Sequence, residues 1–306
     1  MTNGLTSKVL MVRPYQFHKN EETAVNNHYQ QDLDKQTEEI TKSALEEFDT
    51  FVRVLRDSGI TVIVHQDTGN HDTPDSIFPN NWVSFHSNGE TILYPMYAEN
   101  RRKERNPEVF KTLQEQHYST SVVADYSAGE KENIFLEGTG SMILDRVHRI
   151  AYAALSDRTN KDLFERFCNE QNFQAVSFYA YQSVGKQRLP IYHTNVMMSV
   201  GPTFAVVGLN TVDHLVEREK LINFIQNSGK SIIKLSETQI NQFAGNMLTL
   251  EGAKGPLLVM SSAAYQSLDF AQISELEKHA QLIYSPLPTI ELCGGGSARC
   301  MLAELF

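Results

Sequence analysis

A thiol, an imidazole and a carboxylate stand at three separate places in this chain, each shortly before an apolar run. Cys300 directly precedes one run, His193 lies three residues before another, and Glu137 lies five residues before a third. These groups are the parts of nucleophilic catalysis, because a thiolate can attack, a histidine can move protons and a carboxylate can orient the histidine. They are therefore candidate catalytic residues if the fold brings them together.

The other two thiols have simpler explanations. Cys293 precedes a run of glycines and is predicted to be structural, and Cys168 lies on the apolar side of a predicted helix, in the core. Cys300 alone would also be read as a small buried residue of the last strand. An odd number of cysteines in a large chain argues against a disulfide framework. The catalytic interpretation therefore depends on the elements that position Cys300.

Five short apolar runs recur at regular intervals along the chain. They begin 51 to 60 residues apart, and each follows a polar or glycine-containing segment. After four of them a turn leads into a second apolar run, a stretch with helical signals and a further short apolar run. The repeating unit is thus predicted to be strand, strand, helix, strand. The five runs are residues 82–85, 142–144, 196–198, 247–250 and 301–303.

The fifth unit lacks its later elements at the C-terminus, and residues 1–65 can supply them. Residues 8–13 form a predicted strand, a helix with Ile40 and Phe48 on its apolar face follows, Gly59 ends it, and residues 60–64 form another strand. We predict one α/β domain over residues 1–306, a five-bladed pseudo-symmetric α/β propeller closed by its N- and C-terminal strands. The alternative is an ordinary mixed α/β domain whose hairpins recur by chance.

In such a ring the starts of the first strands converge near the axis. The segments just before the five apolar runs should therefore share one central site, which would contain the thiol, the imidazole and the carboxylate. Glycines next to the thiol allow backbone N–H groups to approach a ligand, and Arg299 is expected to favour the thiolate. The segments are Asn80-Asn81, Glu137-Gly-Thr-Gly, His193-Thr-Asn195, Gly245-Asn246 and residues 294–300.

Composition and charge limit the classes of partner. Hydrophobic residues make up 41% and charged residues 21% of the chain, as in ordinary globular proteins. The net charge of −10 would repel a phosphate backbone or an anionic membrane, so we expect neither nucleic acid nor a membrane as a partner. No apolar run is long enough for a membrane span or a secretory signal. We expect a cytoplasmic protein, and homo-oligomerisation stays open.

The motifs of the five segments, in this order, resemble the guanidino-group-modifying enzymes. They read Phe-x-x-Asn-Trp, Leu-Glu-Gly, His-x-Asn and Gly-Gly-Gly-x-x-Arg-Cys-Met, and the likeness extends over essentially the whole chain. That superfamily comprises arginine and agmatine deiminases, amidinotransferases and dimethylarginine hydrolases with the five-bladed pentein fold. The resemblance implies that Cys300 is the nucleophile, His193 the general acid/base and Glu137 its carboxylate partner, with no metal or organic cofactor.

Two positions depart from the pattern of relatives that act on guanidinium compounds. Those relatives hold the cation with aspartates where this chain has Asn81 and Asn195. A guanidinium is always charged and only donates hydrogen bonds, so burying it beside neutral amides costs several kcal/mol. A ureido group is neutral and has an oxygen acceptor instead. The two amides therefore favour a ureido group over a guanidinium, unless both asparagines merely tie down loops. Within the superfamily the chain is most similar to the branch that hydrolyses citrulline to ornithine, carbon dioxide and ammonia.

The same resemblance supplies candidates for substrate binding. The α-carboxylate of citrulline requires an arginine, and Arg158 and one of Arg101 or Arg102 occupy suitable family positions, although solvated surface charges would look the same in sequence. Residues 66–79 have the composition of a loop and precede the site, so they are a candidate lid.

The predicted reaction forms a thioester-type intermediate on Cys300, and the sequence does not decide whether ornithine or ammonia leaves first. Two other functions stay open. One is a deiminase or dimethylarginine-type hydrolase of a guanidino substrate. The other is a non-catalytic pentein binding protein, which would need neither Cys300 nor its partners and would benefit from a basic face that the net charge of −10 argues against.

Overall fold

A computed structural model describes residues 4–306, apart from the side chain of Asn88. Its strands are β1 (Lys8–Arg13), β2 (Thr61–Gln66), β3 (Val83–Phe85), β4 (Glu90–Leu93), β5 (Ser121–Asp125), β6 (Ile143–Asp145), β7 (Ile150–Ala154), β8 (Gln174–Phe178), β9 (Tyr181–Val184), β10 (Gln187–Pro190), β11 (Met198–Val200), β12 (Phe204–Val207), β13 (Ser231–Lys234), β14 (Leu248–Gly252), β15 (Gly255–Ser261), β16 (Gln281–Ser285) and β17 (Ala303–Glu304).

The helices alternate with these strands, and several are single turns. They are α1 (Glu21–Ala24), α2 (Thr37–Asp57), α3 (Glu99–Arg102), α4 (Pro107–Glu115), α5 (Gly138–Ser141), α6 (Lys161–Glu170), α7 (Thr194–Met197), α8 (Leu215–Asn227), α9 (Glu237–Ile240), α10 (Ser262–Ser267) and α11 (Phe270–Leu276). None of the helices between residues 4 and 306 combines the length and apolar character needed to cross a membrane.

Four three-stranded sheets have the same internal order and the same pairing. In each, a hairpin joins two antiparallel strands, and the strand after the following helix lies parallel to the second of them. The predicted unit of strand, strand, helix, strand is therefore confirmed at four positions. The sheets are β3–β4–β5, β6–β7–β8, β11–β12–β13 and β14–β15–β16.

A fifth sheet joins the two ends of the chain. β17 pairs antiparallel with β1, with Val9 opposite Glu304, and β1 pairs parallel with β2. The predicted pairing of the chain ends is confirmed, while residues 1–3 of the predicted domain lie outside the described residues. The sheets are mixed and separate, and no continuous barrel closes them. The closed five-bladed ring and the single-domain boundary stay predictions.

α2 shows why the predicted apolar face is buried. Ile40, Ala44 and Phe48 are spaced at four residues, so they lie on one side of the helix and are at most 6% exposed. The last helical residue is Asp57, and Gly59 turns the chain away with a φ of 89°, in the left-handed region that glycine adopts without steric penalty. The predicted helix and its stop are both confirmed.

Two helix predictions were wrong in detail. The sequence predicts that Leu215, Ile222 and Ile225 share the apolar face of the third unit's helix; in α8 Ile225 is buried as expected and Ile222 partly so, whereas Leu215 is 65% exposed and Leu221 is buried. A separation of six residues turns Leu215 to the far side of a helix from Leu221. For the fourth unit the sequence predicts helical signals at Leu268, Ala271, Ile273 and Leu276, but Leu268 is extended and α11 begins at Phe270. The β9–β10 hairpin was not predicted.

The apolar side chains pack into clusters between the sheets and helices. Cys168 lies in one cluster with Phe164 and Phe167, and Cys293 lies in another with Phe48. Both thiols are 1% exposed, as predicted for structural cysteines.

Candidate active site

The segments before the first strands of the sheets meet in the interior. Four are short helical turns: Pro79–Asn81, α5, α7 and Ala298–Met301. α5 contacts both Pro79–Asn81 and α7, and Pro79–Asn81 contacts Ala298–Met301. The fifth segment contributes Asn246, whose side chain bonds to the third and the last of these turns. The structure thus brings together the five segments that the repeat predicted to converge.

His193 and Glu137 form a buried pair. The imidazole Nε2 lies 2.7 Å from Glu137 Oε2, and the two residues are 2% and 0% exposed. The other carboxylate oxygen accepts a hydrogen bond from the backbone N–H of Tyr97 at 2.9 Å. Because an ionised carboxylate only accepts, Nε2 carries the proton and the lone pair of a neutral imidazole is on Nδ1.

The surroundings of this pair keep Glu137 ionised and His193 neutral. Burial lowers the pKa of His193 to about 4, and the bond to Glu137 only partly opposes this. Burial raises the pKa of Glu137, but the charge of Arg158, whose Nη1 lies 3.6 Å from the carboxylate, and the bond from His193 outweigh it and lower that pKa to about 2. At neutral pH His193 is therefore neutral and Glu137 is an anion.

We expect the acid limit of turnover to lie well below the usual pKa of histidine, because His193 keeps its proton-accepting Nδ1 down to about pH 4. The unfolded chain takes up a proton at this histidine near pH 6.5, so stability falls as the pH drops from about 6.5 towards 4. The pH profile of kcat/KM and urea unfolding at several pH values measure both effects. An acid limb centred near pH 6.5 would contradict the pKa assigned to His193.

The sulfur of Cys300 lies between two side-chain amides. Asn195 Nδ2 is 3.3 Å and Asn246 Nδ2 is 3.2 Å from Sγ, and Cys300 itself is 3% exposed. Arg299, which we expected to favour the thiolate, directs its guanidinium to Glu304 at 2.9 Å and to the carbonyl of Leu302 at 2.8 Å. Amide donors, and not the guanidinium, therefore contact the sulfur.

Asn81 and Asn195 leave one donor and one acceptor without a partner. Arg101 Nη1 donates to Asn81 Oδ1 at 2.9 Å, and because a guanidinium only donates, this bond fixes the orientation of the amide. Asn81 Nδ2 is then buried and unpartnered, as is Asn195 Oδ1. A buried unpaired polar group costs free energy, and such groups recur where a ligand completes the hydrogen bonds.

The three candidate arginines occupy different surroundings. Arg101 is buried and donates to Glu104 as well as to Asn81. Arg158 is buried over the ring of Tyr192, 4.8 Å from its centroid, and its Nε donates to Asn26. Arg102 donates only to backbone carbonyls and lines an outer cavity of about 890 Å³.

Residues 20–31, which we call the cover, close the site from outside. Asn27 Nδ2 and Gln30 Nε2 donate to the carbonyl of Gly294 at 3.2 and 3.0 Å, and the N–H of Gln31 donates to the carbonyl of Leu292 at 2.7 Å. The cover also supplies both hydrogen-bond partners of the Arg158 guanidinium, Asn26 and the carbonyl of Thr23. The cover therefore packs on the glycine loop that precedes Cys300 and on Arg158.

The candidate lid at residues 66–79 is placed differently. Asp67 accepts hydrogen bonds from Gly69 and Ser76 of the same loop, Asp75 accepts from Asn20 of the cover, and Phe78 packs beside Gly294. The sequence analysis missed the cover because the segment is polar and lacks periodicity; its one signal is Asn20, which caps α1. Among the residues described, no three His, Cys, Asp or Glu side chains are grouped to hold a metal ion.

Because Gly140 has no side chain, it leaves a space that is bordered by Asn81 Nδ2 and His193 Nδ1. A Cβ atom added there would lie 2.3 Å from Asn81 Nδ2 and 2.8 Å from His193 Nδ1. We expect Gly140→Ala to reduce kcat/KM by about 100-fold or more, because displacing reactive groups by about 1 Å has that effect. Gly201→Ala, whose added Cβ would crowd the ring of Phe204 in the turn after β11, is the control for steric crowding. Wild-type kinetics in folded Gly140→Ala would show that this space is not used.

Several solved structures that are similar to this chain share its fold. They include apo ArgZ, an arginine dihydrolase from the ornithine-ammonia cycle in cyanobacteria (TM-score 0.72, 17% identity, 97% of this chain and 40% of ArgZ covered). The ternary complex of AgrE with ornithine and NAD+ gives a TM-score of 0.74 at 17% identity, covering 98% of this chain and 39% of AgrE. The chain thus spans about two fifths of these full-length proteins.

A smaller relative is matched over its whole length. DDAH from Pseudomonas aeruginosa, complexed with citrulline, gives a TM-score of 0.63 at 14% identity and covers 98% of this chain and 99% of DDAH. No curated protein is significantly similar to this chain. The family model described as "N,N dimethylarginine dimethylhydrolase, eukaryotic" matches residues 13–306. This protein therefore belongs to that dimethylarginine dimethylhydrolase family, among the pentein-fold enzymes that modify guanidino groups.

Proposed function

We propose that this protein hydrolyses the ureido group of citrulline to ornithine, carbon dioxide and ammonia, with Cys300 as the nucleophile. The observation that carries the proposal is the buried, unpartnered N–H of Asn81, held in place by Arg101. A ureido oxygen accepts such a hydrogen bond, whereas a guanidinium has no acceptor to offer.

The free acceptor of Asn195 complements the free donor of Asn81. Asn195 Oδ1 is buried without a partner and suits an N–H of the ureido group. A neutral head group that offers one acceptor and several donors thus satisfies both asparagines. Because the site takes residues from all five repeats, the proposal includes the five-bladed ring and a single domain over residues 1–306.

In the proposed mechanism Cys300 Sγ attacks the ureido carbon, and the oxygen that becomes negative is stabilised by the N–H of Asn81. Neutral His193 accepts a proton and delivers it to the departing nitrogen, oriented by Glu137. If ornithine leaves first, an S-carbamoyl enzyme remains; water adds to its carbon, the C–S bond breaks, and carbamate decomposes to carbon dioxide and ammonia. If ammonia leaves first, the intermediate stays attached to the amino acid until water releases it.

Among Arg101, Arg102 and Arg158, we assign the α-carboxylate to Arg158. Its hydrogen-bond partners, Asn26 and the carbonyl of Thr23, belong to the cover, so opening the cover frees two guanidinium nitrogens. A freed fork of N–H donors suits a carboxylate. Arg101 stays bonded to Glu104 and Asn81, and Arg102 lies at the outer cavity.

A second candidate function is hydrolysis of a guanidino substrate. The family model and the names of the structural neighbours favour it, because ArgZ is called an arginine dihydrolase and the family is that of dimethylarginine dimethylhydrolases. Within the site, the anionic Glu137 is the group that would attract a cationic head group.

Product analysis separates the two functions. The protein is incubated with citrulline, arginine or dimethylarginine, and ornithine, citrulline and ammonia are quantified. We expect ornithine and ammonia in equal amounts from citrulline. Citrulline formed from arginine or dimethylarginine, without ornithine from citrulline, would establish the second function instead. No product from any of the three would leave the non-catalytic alternative.

A further inference from the structure

We propose that Asn246 is a catalytic residue that holds the sulfur of Cys300 by N–H donation. Its Nδ2 lies 3.2 Å from Sγ, and Asn246 is 1% exposed, so water does not compete for the contact. Resemblance to the family suggested the two other asparagines of the site, but it assigned no role to this one. The inference rests on the proposed function, in which Cys300 is the nucleophile.

The orientation of the Asn246 amide is fixed by the bonds around it. The backbone N–H of Arg299 donates to Oδ1 at 2.9 Å, and a backbone N–H can only donate, so the NH2 group must face the other way. That group has two hydrogens and two acceptors, Cys300 Sγ and the carbonyl of Asn195 at 3.0 Å. Both hydrogens are therefore used, and neither is free for a substrate.

This arrangement differs from that of Asn195, the other amide at the sulfur. Asn195 keeps a free Oδ1 and can turn to a substrate, whereas Asn246 is held on both sides. A fixed N–H donor stabilises a thiolate relative to a thiol and aims the sulfur lone pair in one direction. Tyr192 and Arg299 are titratable groups that also interact electrostatically with the sulfur.

Asn246 also joins three of the five converging segments. It belongs to the fourth segment, and its bonds reach the third at Asn195 and the fifth at Arg299 and Cys300. The distance between the sulfur and the amide of Asn195 is thereby set by one side chain. Asn246 thus acts both on the reacting atom and on the position of its neighbour.

The Asn246→Asp substitution removes the hydrogen-bond donor but keeps the shape of the side chain. Aspartate has the same size as asparagine and still accepts a hydrogen bond from the Arg299 N–H. It replaces the NH2 donor with a carboxylate oxygen beside the sulfur. We expect alkylation of Cys300 by iodoacetamide at pH 7 to slow by about tenfold or more, and the pH of half-maximal alkylation to rise. With citrulline, kcat should fall by a similar factor while KM changes by less than about twofold.

Asn241→Asp is the matched control, because this exposed asparagine lies in the same loop and receives the same change. Asn246→Ala, which adds no charge, is the second variant and should also slow alkylation. Peptide mass spectrometry assigns alkylation to Cys300 and not to Cys168 or Cys293, and melting temperatures verify folding. Folded Asn246→Asp and Asn246→Ala with wild-type alkylation profiles and kcat would overturn the proposal.

The alkylation comparison needs no substrate. If the wild-type protein released no ornithine from citrulline, the proposed function would fail, while the effect of Asn246 on the sulfur would still be measured. If citrulline were hydrolysed and alkylation did not respond to either substitution, the role of Asn246 alone would be wrong.

Discussion

Asn81→Asp is expected to reverse the substrate preference of the site. One carboxylate oxygen would still accept from Arg101, but the other would replace the free N–H with a charged acceptor. Citrulline then loses the donor for its developing oxyanion, and removing one such donor typically lowers kcat by about 100- to 1000-fold. Arginine gains an anion for its guanidinium. We therefore expect measurable citrulline production from arginine together with the loss of citrulline hydrolysis.

The measurement is kcat/KM for citrulline and for arginine on the same preparation. Asn210→Asp, at an exposed asparagine, shows the effect of the substitution away from the site. If Asn81→Asp is folded, hydrolyses citrulline at the wild-type rate and does not act on arginine, Asn81 has no part in recognising the head group.

Cys300→Ala is expected to have the largest effect of any single substitution. Without the sulfur no covalent intermediate forms, and removal of a nucleophile lowers kcat by about a millionfold in well-studied hydrolases. Substrate binding should persist, because the two asparagines and Arg158 are untouched. Turnover and citrulline binding by calorimetry measure the two effects separately.

Cys293→Ala is the matched control for this experiment. Cys293 precedes the same glycine loop and lies in the same apolar cluster as Cys300, and the two are 1% and 3% exposed, but Asn195 and Asn246 donate to the sulfur of Cys300. It should lower the melting temperature slightly and leave kcat unchanged. Full turnover by Cys300→Ala would remove the thiol from the mechanism.

Those parts of the fold that repeat could be predicted from sequence. The hairpins and the parallel third strands recur at an interval that the apolar runs reveal, and β1 fills a place that the last repeat leaves open. The convergence of Glu137, His193 and Cys300 then follows from the repeat, because equivalent positions in each unit face a common centre. The buried pair at 2.7 Å and the amides on the sulfur agree with that reasoning.

The remaining features depend on where long or polar side chains point. Arg101 and Arg102 are adjacent, yet one is buried against Glu104 and the other lines an outer cavity, and no pattern in the sequence distinguishes them. The cover at residues 20–31 has no apolar period, since it is held by hydrogen bonds to backbone carbonyls. Asn246 is one asparagine in a loop, and only its contacts reveal its role.

Direct comparison of citrulline and L-arginine as substrates of the unaltered protein tests the central claim. If two uncharged amides contact the head group, as we propose, kcat/KM for citrulline should exceed that for arginine by at least about 100-fold, because arginine would leave hydrogen-bonding groups of the site unpaired. A kcat/KM for arginine equal to or above that for citrulline would contradict the account.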